Sequence, residues 1–389
     1  MIEVLKETLI LFSLGCLGWF VFARLSAPTP ALFGTLVVVG GLRVLGVGVP
    51  YSPELLSPLV QIFLGFYVGS RVNRGTVRDL KSMVFPAAVI VAWALAIVFL
   101  LGFFLSRVTY LDVETAVLSS SMGGLPEMTV IALATSADVA VVIVMQTLRM
   151  VATFIVFPLI INAWMKKERK ADQGPLRDEP VPLQQDRPGN RKSSRQFESF
   201  RGIGNNRLSI RERLDRFTAG LTLRLVLVNL VALLIAAAGG FLFLSLGVPA
   251  GGMVGAMFFV SLYSLLFNFQ VKTPSAILFG FMLIGVGLMV SDNLTSETVR
   301  IVADGAILYP LLLSTVLIFI SSFAVSYLIH KVVGWDFPTC FLAAAPGGFT
   351  IMTTLAIKYD KNPFRVSMLH LCRLLALKSV VPFVFMLYL

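Results

Sequence analysis

Five ionisable residues lie inside stretches otherwise apolar enough to sit in a bilayer: Glu127, Asp138, Arg149, His370 and Arg373. Each such charge costs roughly 2.5–3.5 kcal/mol on insertion scales, so each marks an ion or substrate path by default. A desolvated carboxylate can exchange protons, or ligate sodium beside backbone carbonyls, which makes Glu127 and Asp138 candidate coupling groups. Asp138 can equally cap the helix that follows it, and that simpler role suits it better. His370 offers a proton carrier or a buried polar contact, of which the second is simpler. Arg149 and Arg373 could clamp a carboxylate in bidentate fashion. They could as well neutralise an acid or bond the carbonyls of broken helices, and the residue types leave these open.

The segment that carries Glu127 makes a poor ordinary helix. Leu118–Asp138 contains Ser119, Ser120, Ser121, the pair Gly123-Gly124 and Pro126. Paired glycines and a proline interrupt helical hydrogen bonding, and the freed groups must face protein or water rather than lipid. Pro126 followed by Glu127 reads as the first turn of a new helix, whose positive end points at whatever binds there. Pro346-Gly347-Gly348 repeats the break later in the chain. Two such breaks meeting in mid-membrane are how many secondary transporters build a substrate site. The candidate substrate-binding residues are therefore Ser120, Ser121, Gly123, Gly124, Arg149, Gly347, Gly348 and Arg373, with Glu127, Asp138 and His370 for ion coupling. Lys358, Asp360, Lys361 and Arg365 cluster near a segment end and read as interfacial anchors.

The elements that carry these residues are duplicated. At an offset of 224, Gly123-Gly124 aligns with Gly347-Gly348, Met128-Thr129 with Met352-Thr353, Arg149 with Arg373 and Pro158 with Pro382. Asp112 and Thr115 meet Asp336 and Thr339 in the same register, and near 220 Gly65 meets Gly285. The second copy has Ile351 and Asn362 where the first has Glu127 and Asp138, so any ion site is asymmetric.

Composition fixes the setting. The chain is 57% hydrophobic and 14% charged, and runs such as Met83–Ser106, Leu221–Leu246 and Tyr309–Ile329 reach the roughly 20 helical residues that cross a bilayer. Six apolar segments (8–24, 30–47, 55–70, 83–106, 114–137, 138–163) precede a basic stretch, and six follow it (220–247, 249–268, 274–290, 301–330, 339–359, 363–388). The fold expected is an all-α polytopic membrane protein. Residues 1–162 form a first repeat, 163–216 a basic cytoplasmic linker with an amphipathic stretch at Leu208–Phe217, and 217–389 a second repeat. The apolar run near the N-terminus follows a net negative Glu3, Lys6 and Glu7, and reads as a retained first span rather than a signal peptide.

The net charge of +11 is concentrated: Ala163–Arg216 holds 14 Lys or Arg against 8 Asp or Glu. This is a topology signal at the cytoplasmic face, and without an aromatic platform or a recognition fold it does not indicate nucleic-acid binding. Cys16, Cys340 and Cys372 read as small packing residues.

Charge also orients the chain. Arg71–Lys81, with four basic residues and one acid, should be cytoplasmic. The basic linker reaches the same face only if 114–137 dips in and returns. Each half then has about five transmembrane helices plus a re-entrant or broken helix, and an odd count inverts the second half. The equivalent loop Ser291–Arg300, with Asp292 and Glu297 against Arg300, carries the opposite charge, as inversion requires.

The run Ser121-Met122-Gly123-Gly124-Leu125-Pro126-Glu127-Met128, followed by Ala134-Thr135-Ser136-Ala137-Asp138 and Arg149, resembles the AbrB-type membrane protein family. That family is distinct from the small DNA-binding regulator that shares its name. The resemblance covers essentially the whole chain. It implies an internally duplicated protein of the bacterial inner membrane, within the cation:proton antiporter/anion transporter superfamily, with inverted repeats and crossed, broken helices. Secondary transport follows from that membership, and a homodimer by analogy. In the second copy Thr350-Ile351 replaces the Pro-Glu pair.

The function expected is secondary active transport of a small organic anion, coupled to protons or sodium, by alternating access. A membrane oxidase would need several metal ligands, and the chain has two histidines, His330 and His370, in different segments. No enzyme activity and no metal or other cofactor is expected. The alternative is a regulatory or sensor protein acting through the linker, by binding a partner or anionic lipid.

Overall fold

The computed structural model describes residues 2–25, 29–172, 223–267 and 276–388. Most of the linker lies outside them, as does Leu208–Phe217. Fifteen helices occupy the described residues, which contain no strand. They are α1 (Ile2–Arg24), α2 (Pro30–Val44), α3 (Leu56–Gly69), α4 (Arg74–Val108), α5 (Val113–Ser120), α6 (Leu125–Leu133), α7 (Val139–Asp172), α8 (Leu223–Ser245), α9 (Gly251–Phe267), α10 (Ala276–Ser291), α11 (Ser296–Ala303), α12 (Leu308–Val333), α13 (Phe337–Ala344), α14 (Phe349–Lys358) and α15 (Pro363–Tyr388). The protein is an all-α polytopic membrane protein. Six helices, within α1, α4, α7, α8, α12 and α15, are long and apolar enough to cross a membrane. α2, α3, α9 and α14 are shorter apolar helices. The apolar window 30–47 overran α2 because Gly46, at φ +74°, ends the helix.

Both stretches read above as loops are partly helical. α4 starts at Arg74 and α11 at Ser296, each behind the same capping box. The Asn73 side chain accepts from Thr76 N at 2.9 Å, and Thr295 from Thr298 N at 3.3 Å. α4 then runs unbroken, whereas its counterpart divides into α11 and α12 where Gly305 takes φ +77°. α10 and α11 are bent by 52°.

The helices sort into two groups. In the first, α1 packs on α2, α8 on α9, α3 against α8 and α9, and α10 against α1 and α2. Exchanging the halves maps these pairings onto one another. The second group holds α4–α7 and α12–α15, with α4 on α5, α12 on α13, α4 on α15 and α7 on α12. The first group is sealed by glycine. An added Cβ at Gly18 would overlap the backbone of Gly34, and one at Gly255 the backbone of Gly239, two contacts related by an offset of 221. Gly255→Val should cost about 1–3 kcal/mol or more by overpacking. A thermal melt of the detergent-purified protein checks this against the exposed control Gly48→Ala, where a Cβ meets nothing.

The two broken segments open at opposite ends of α4. α4 is 35 residues long, about 52 Å at 1.5 Å per residue. Its C-terminal end leads directly into α5. There the Glu114 carboxylate accepts from Ser136 N at 2.7 Å and Ser136 Oγ at 2.9 Å, and Asp138 N donates to Thr115 Oγ1 at 2.8 Å. The α5–α6 pair therefore returns to the end it left. At α4's N-terminal end, Asp79 pairs with Arg365 at 2.9 Å, beside the Lys361–Asp336 pair at 3.4 Å that joins the start of α13 to the end of α14. α12 ends where α4 begins. The two helices are in contact, an arrangement that inverted halves require.

Candidate functional site

Each broken segment is built by the same local rules. Asp112 accepts from Thr115 N at 2.9 Å and starts α5, and Asp336 accepts from Thr339 N at 3.2 Å and starts α13. After eight residues both helices stop at an extended residue, Ser121 (φ −64°, ψ 134°) and Ala345 (φ −58°, ψ 138°). They resume after Gly124 (φ −68°, ψ 143°) and Gly348 (φ −63°, ψ 142°), neither of which supplies a side-chain cap. The last carbonyls of α5 and α13 and the first amides of α6 and α14 are thus left to other partners.

α7 and α15 supply the partners for the carbonyls. Gln146 Nε2 donates to Leu118 O at 3.0 Å, and Arg149 donates to Ser119 O at 2.7 Å and Ser121 O at 2.5 Å. In the second copy His370 Nε2 meets Leu342 O at 2.8 Å. Arg373 donates to Ala345 O at 2.7 Å and, more weakly, Gly347 O at 3.4 Å. Both guanidiniums are buried, 3% and 1% exposed, and they lie within electrostatic reach of each other. Neither forms an ion pair among the described residues. The Nε atoms of both arginines are buried without a partner, as are Ser119 Oγ and Thr147 Oγ1.

The other candidates have these placements. Ser120 Oγ donates to Ala116 O at 2.7 Å, and Ser121 Oγ accepts from Gly123 N at 3.2 Å, so both hydroxyls are engaged within the segment. Glu127 is half-buried in the first turn of α6, folded back over Gly124, with no hydrogen-bond or ion-pair partner among the described residues. Asp138 is exposed at the mouth of the segment and accepts from Val141 N at 3.1 Å as the cap of α7. Asn362 caps α15 in the same way, accepting from Arg365 N at 3.1 Å. Asp138 is thus held away from the two arginines, while the glycine pairs, Arg149, Arg373 and His370 cluster at the breaks. Arg365 also stacks on Trp335 at 4.3 Å.

Gln146 and Glu114 were missed in the sequence. Gln146 was findable, because the offset of 224 that pairs the arginines also pairs it with His370. Glu114 faces Pro338 in the second copy and had no signal beyond its position two residues after the cap.

A family model described as "Transition state regulatory protein AbrB" matches residues 2–165 and 203–388, nearly all of both repeats. The chain belongs to the AbrB family. This AbrB-family chain is also similar to "Uncharacterized protein YhjN" of Bacillus subtilis (strain 168), 25% identical over 177 residues. That match covers 43% of this chain and 46% of the Bacillus protein, so the chain spans about half the length of that relative. No solved structure matches.

Proposed function

We propose that this AbrB-family protein is a secondary active transporter of a small organic anion, driven by protons or sodium, in the bacterial inner membrane. One observation carries the reading. Two guanidiniums are buried within electrostatic reach of each other where two broken helices end, and among the described residues no carboxylate pairs with them. Uncompensated buried cations call for an anion. The uncapped N-termini of α6 and α14 favour negative charge as well.

The arginines spend their terminal nitrogens on carbonyls, so they act on the anion chiefly as fixed positive charge rather than as a bidentate clamp. Glu127 is the group we assign to the coupling ion. Loading it with a proton or sodium removes one negative charge from the first turn of α6 and favours anion binding. The glycine-sealed group α1–α3 with α8–α10 serves as scaffold, and the bundle of α4–α7 with α12–α15 moves against it. The basic residues of Arg71–Lys81 and of the linker support a cytoplasmic location for the N-terminal end of α4. No enzymatic step is assigned, and the protein is proposed to work as a homodimer.

Purified protein in liposomes should accumulate at least one labelled mono-, di- or tricarboxylate when a proton or sodium gradient is imposed. It should not do so when the gradient is collapsed. A carboxylate panel that yields no gradient-dependent uptake in either ion would overturn the reading.

A further inference from the structure

The second break differs from the first in one respect: where α7 presents a glutamine to the end of α5, α15 presents a histidine to the end of α13. Gln146 Nε2 donates to Leu118 O, and His370 Nε2 lies 2.8 Å from Leu342 O, the carbonyl 224 positions on. The other ring nitrogen, Nδ1, lies 2.9 Å from an Arg373 terminal nitrogen. Arginine has only donors, so Nδ1 must accept and the ring proton must sit on Nε2, donating to the carbonyl. We propose that Gln146 and His370 are one pair of positioning residues, and that His370 serves as a permanently neutral imidazole rather than as a proton carrier.

The geometry leaves no room for a second ring proton. A protonated ring would turn Nδ1 into a donor facing a donor, and would place a third cation beside Arg373 and Arg149. Relief would have to come from an acid, and neither ring nitrogen has one as partner. The ionisable groups on elements packed against α15 are Cys340 on α13 with Asp336 at its cap, Lys358 on α14, Tyr67 on α3, Arg74, Arg78, Asp79, Lys81 and Arg107 on α4, and Glu127 on α6, while Arg149 on α7 reaches it electrostatically through Arg373. Asp79 is taken by Arg365, and Asp336 by Lys361. His370 itself is fully buried. The ring's task is the one Gln146 performs with an amide: bond a last-turn carbonyl of the broken helix and, through Nδ1, fix the Arg373 guanidinium. The coupling ion then falls to Glu127, a conclusion that rests on the transporter reading, whereas the assignment of the imidazole does not.

The chain has two histidines, so the full-length His330→Gln variant in nanodiscs, labelled with ¹⁵N-imidazole, reports His370 alone. A single Nε2–H tautomer, unchanged between about pH 5 and 9, is expected. His370→Gln should retain the melting temperature and the pH profile of uptake. His370→Leu, which removes the side-chain donor to the Leu342 carbonyl and the Nδ1 acceptor facing Arg373, should lose uptake about tenfold or more. An imidazole that titrates within that range overturns the proposal. So does a His370→Gln protein that folds but has lost the pH dependence of uptake, or one as impaired as His370→Leu. Absence of uptake in the wild type would count against the transporter reading and leave the imidazole spectrum to decide this one.

Discussion

Replacing Arg149 with alanine should abolish anion accumulation and lower the thermal stability of the purified protein together. Two carbonyls, Ser119 O and Ser121 O, lose the side-chain donors that Arg149 supplies, and each buried unpaired acceptor costs about 1–3 kcal/mol. The break is held open by these bonds, so the end of α5 would shift and the uncapped start of α6 with it. A loss of even about 3 kcal/mol in anion binding is on the order of 100-fold in affinity, beyond the reach of most uptake assays. Lysine is the informative control. Arg149→Lys keeps the charge but replaces a planar fork with a point donor, so it should rescue part of the binding and little of the stability. The assay pairs gradient-driven uptake in liposomes with a thermal melt. Full activity in a stable Arg149→Ala protein would remove both roles assigned to the residue.

The glycines next to the break should behave in the opposite way: Gly124→Ala and Gly348→Ala are expected to fold normally and transport poorly. Neither glycine has a positive φ. A methyl on Gly124 would meet the Glu127 carboxylate, and one on Gly348 the tip of Ile351 at 3.0 Å and, in ordinary contact, Met150 Sδ at 3.9 Å. Those are ends of flexible side chains, which can move at small cost. Nothing in the folded chain therefore requires glycine at either position. A ligand approaching the backbone amides would, because close approach is what the missing Cβ permits. The expected result is a melting temperature within about 2 °C of wild type, since shifts of 1 kcal/mol move a domain of this size by roughly 2–4 °C. Uptake should fall at least tenfold alongside it. If both alanine variants melt early, the glycines are structural and the backbone contact with the anion is lost from the account.

These two classes of glycine illustrate how far the sequence could be read. The register of 224 paired Asp112 with Asp336 and Arg149 with Arg373, and in the structure the first pair caps equivalent helices while the second bonds equivalent carbonyls. Caps and offsets are local properties, so one chain suffices to see them. The inverted arrangement was legible too, through the sign change between Arg71–Lys81 and Ser291–Arg300. What those two arginines hold was not legible. A guanidinium suits a carboxylate ligand and an orphan carbonyl equally well, and only the geometry shows the second use. Asp138 and Glu127 were both candidate coupling groups, with the cap the simpler role for Asp138, and the structure shows that cap at the exposed mouth while Glu127 lies half-buried over Gly124. Gly18 and Gly34 carried no motif at all, because the backbone contact they permit is between helices.

The inverted crossing itself can be tested by single-cysteine labelling on a background without Cys16, Cys340 and Cys372. Arg107→Cys and Ser136→Cys, both exposed at the mouth of the first broken segment, should react with an impermeant maleimide from the same side of sealed vesicles. Lys361→Cys, at the mouth of the second, should react from the other side only. Arg107 and Ser136 labelling from different compartments, or Ser136 and Lys361 from the same one, would contradict the account.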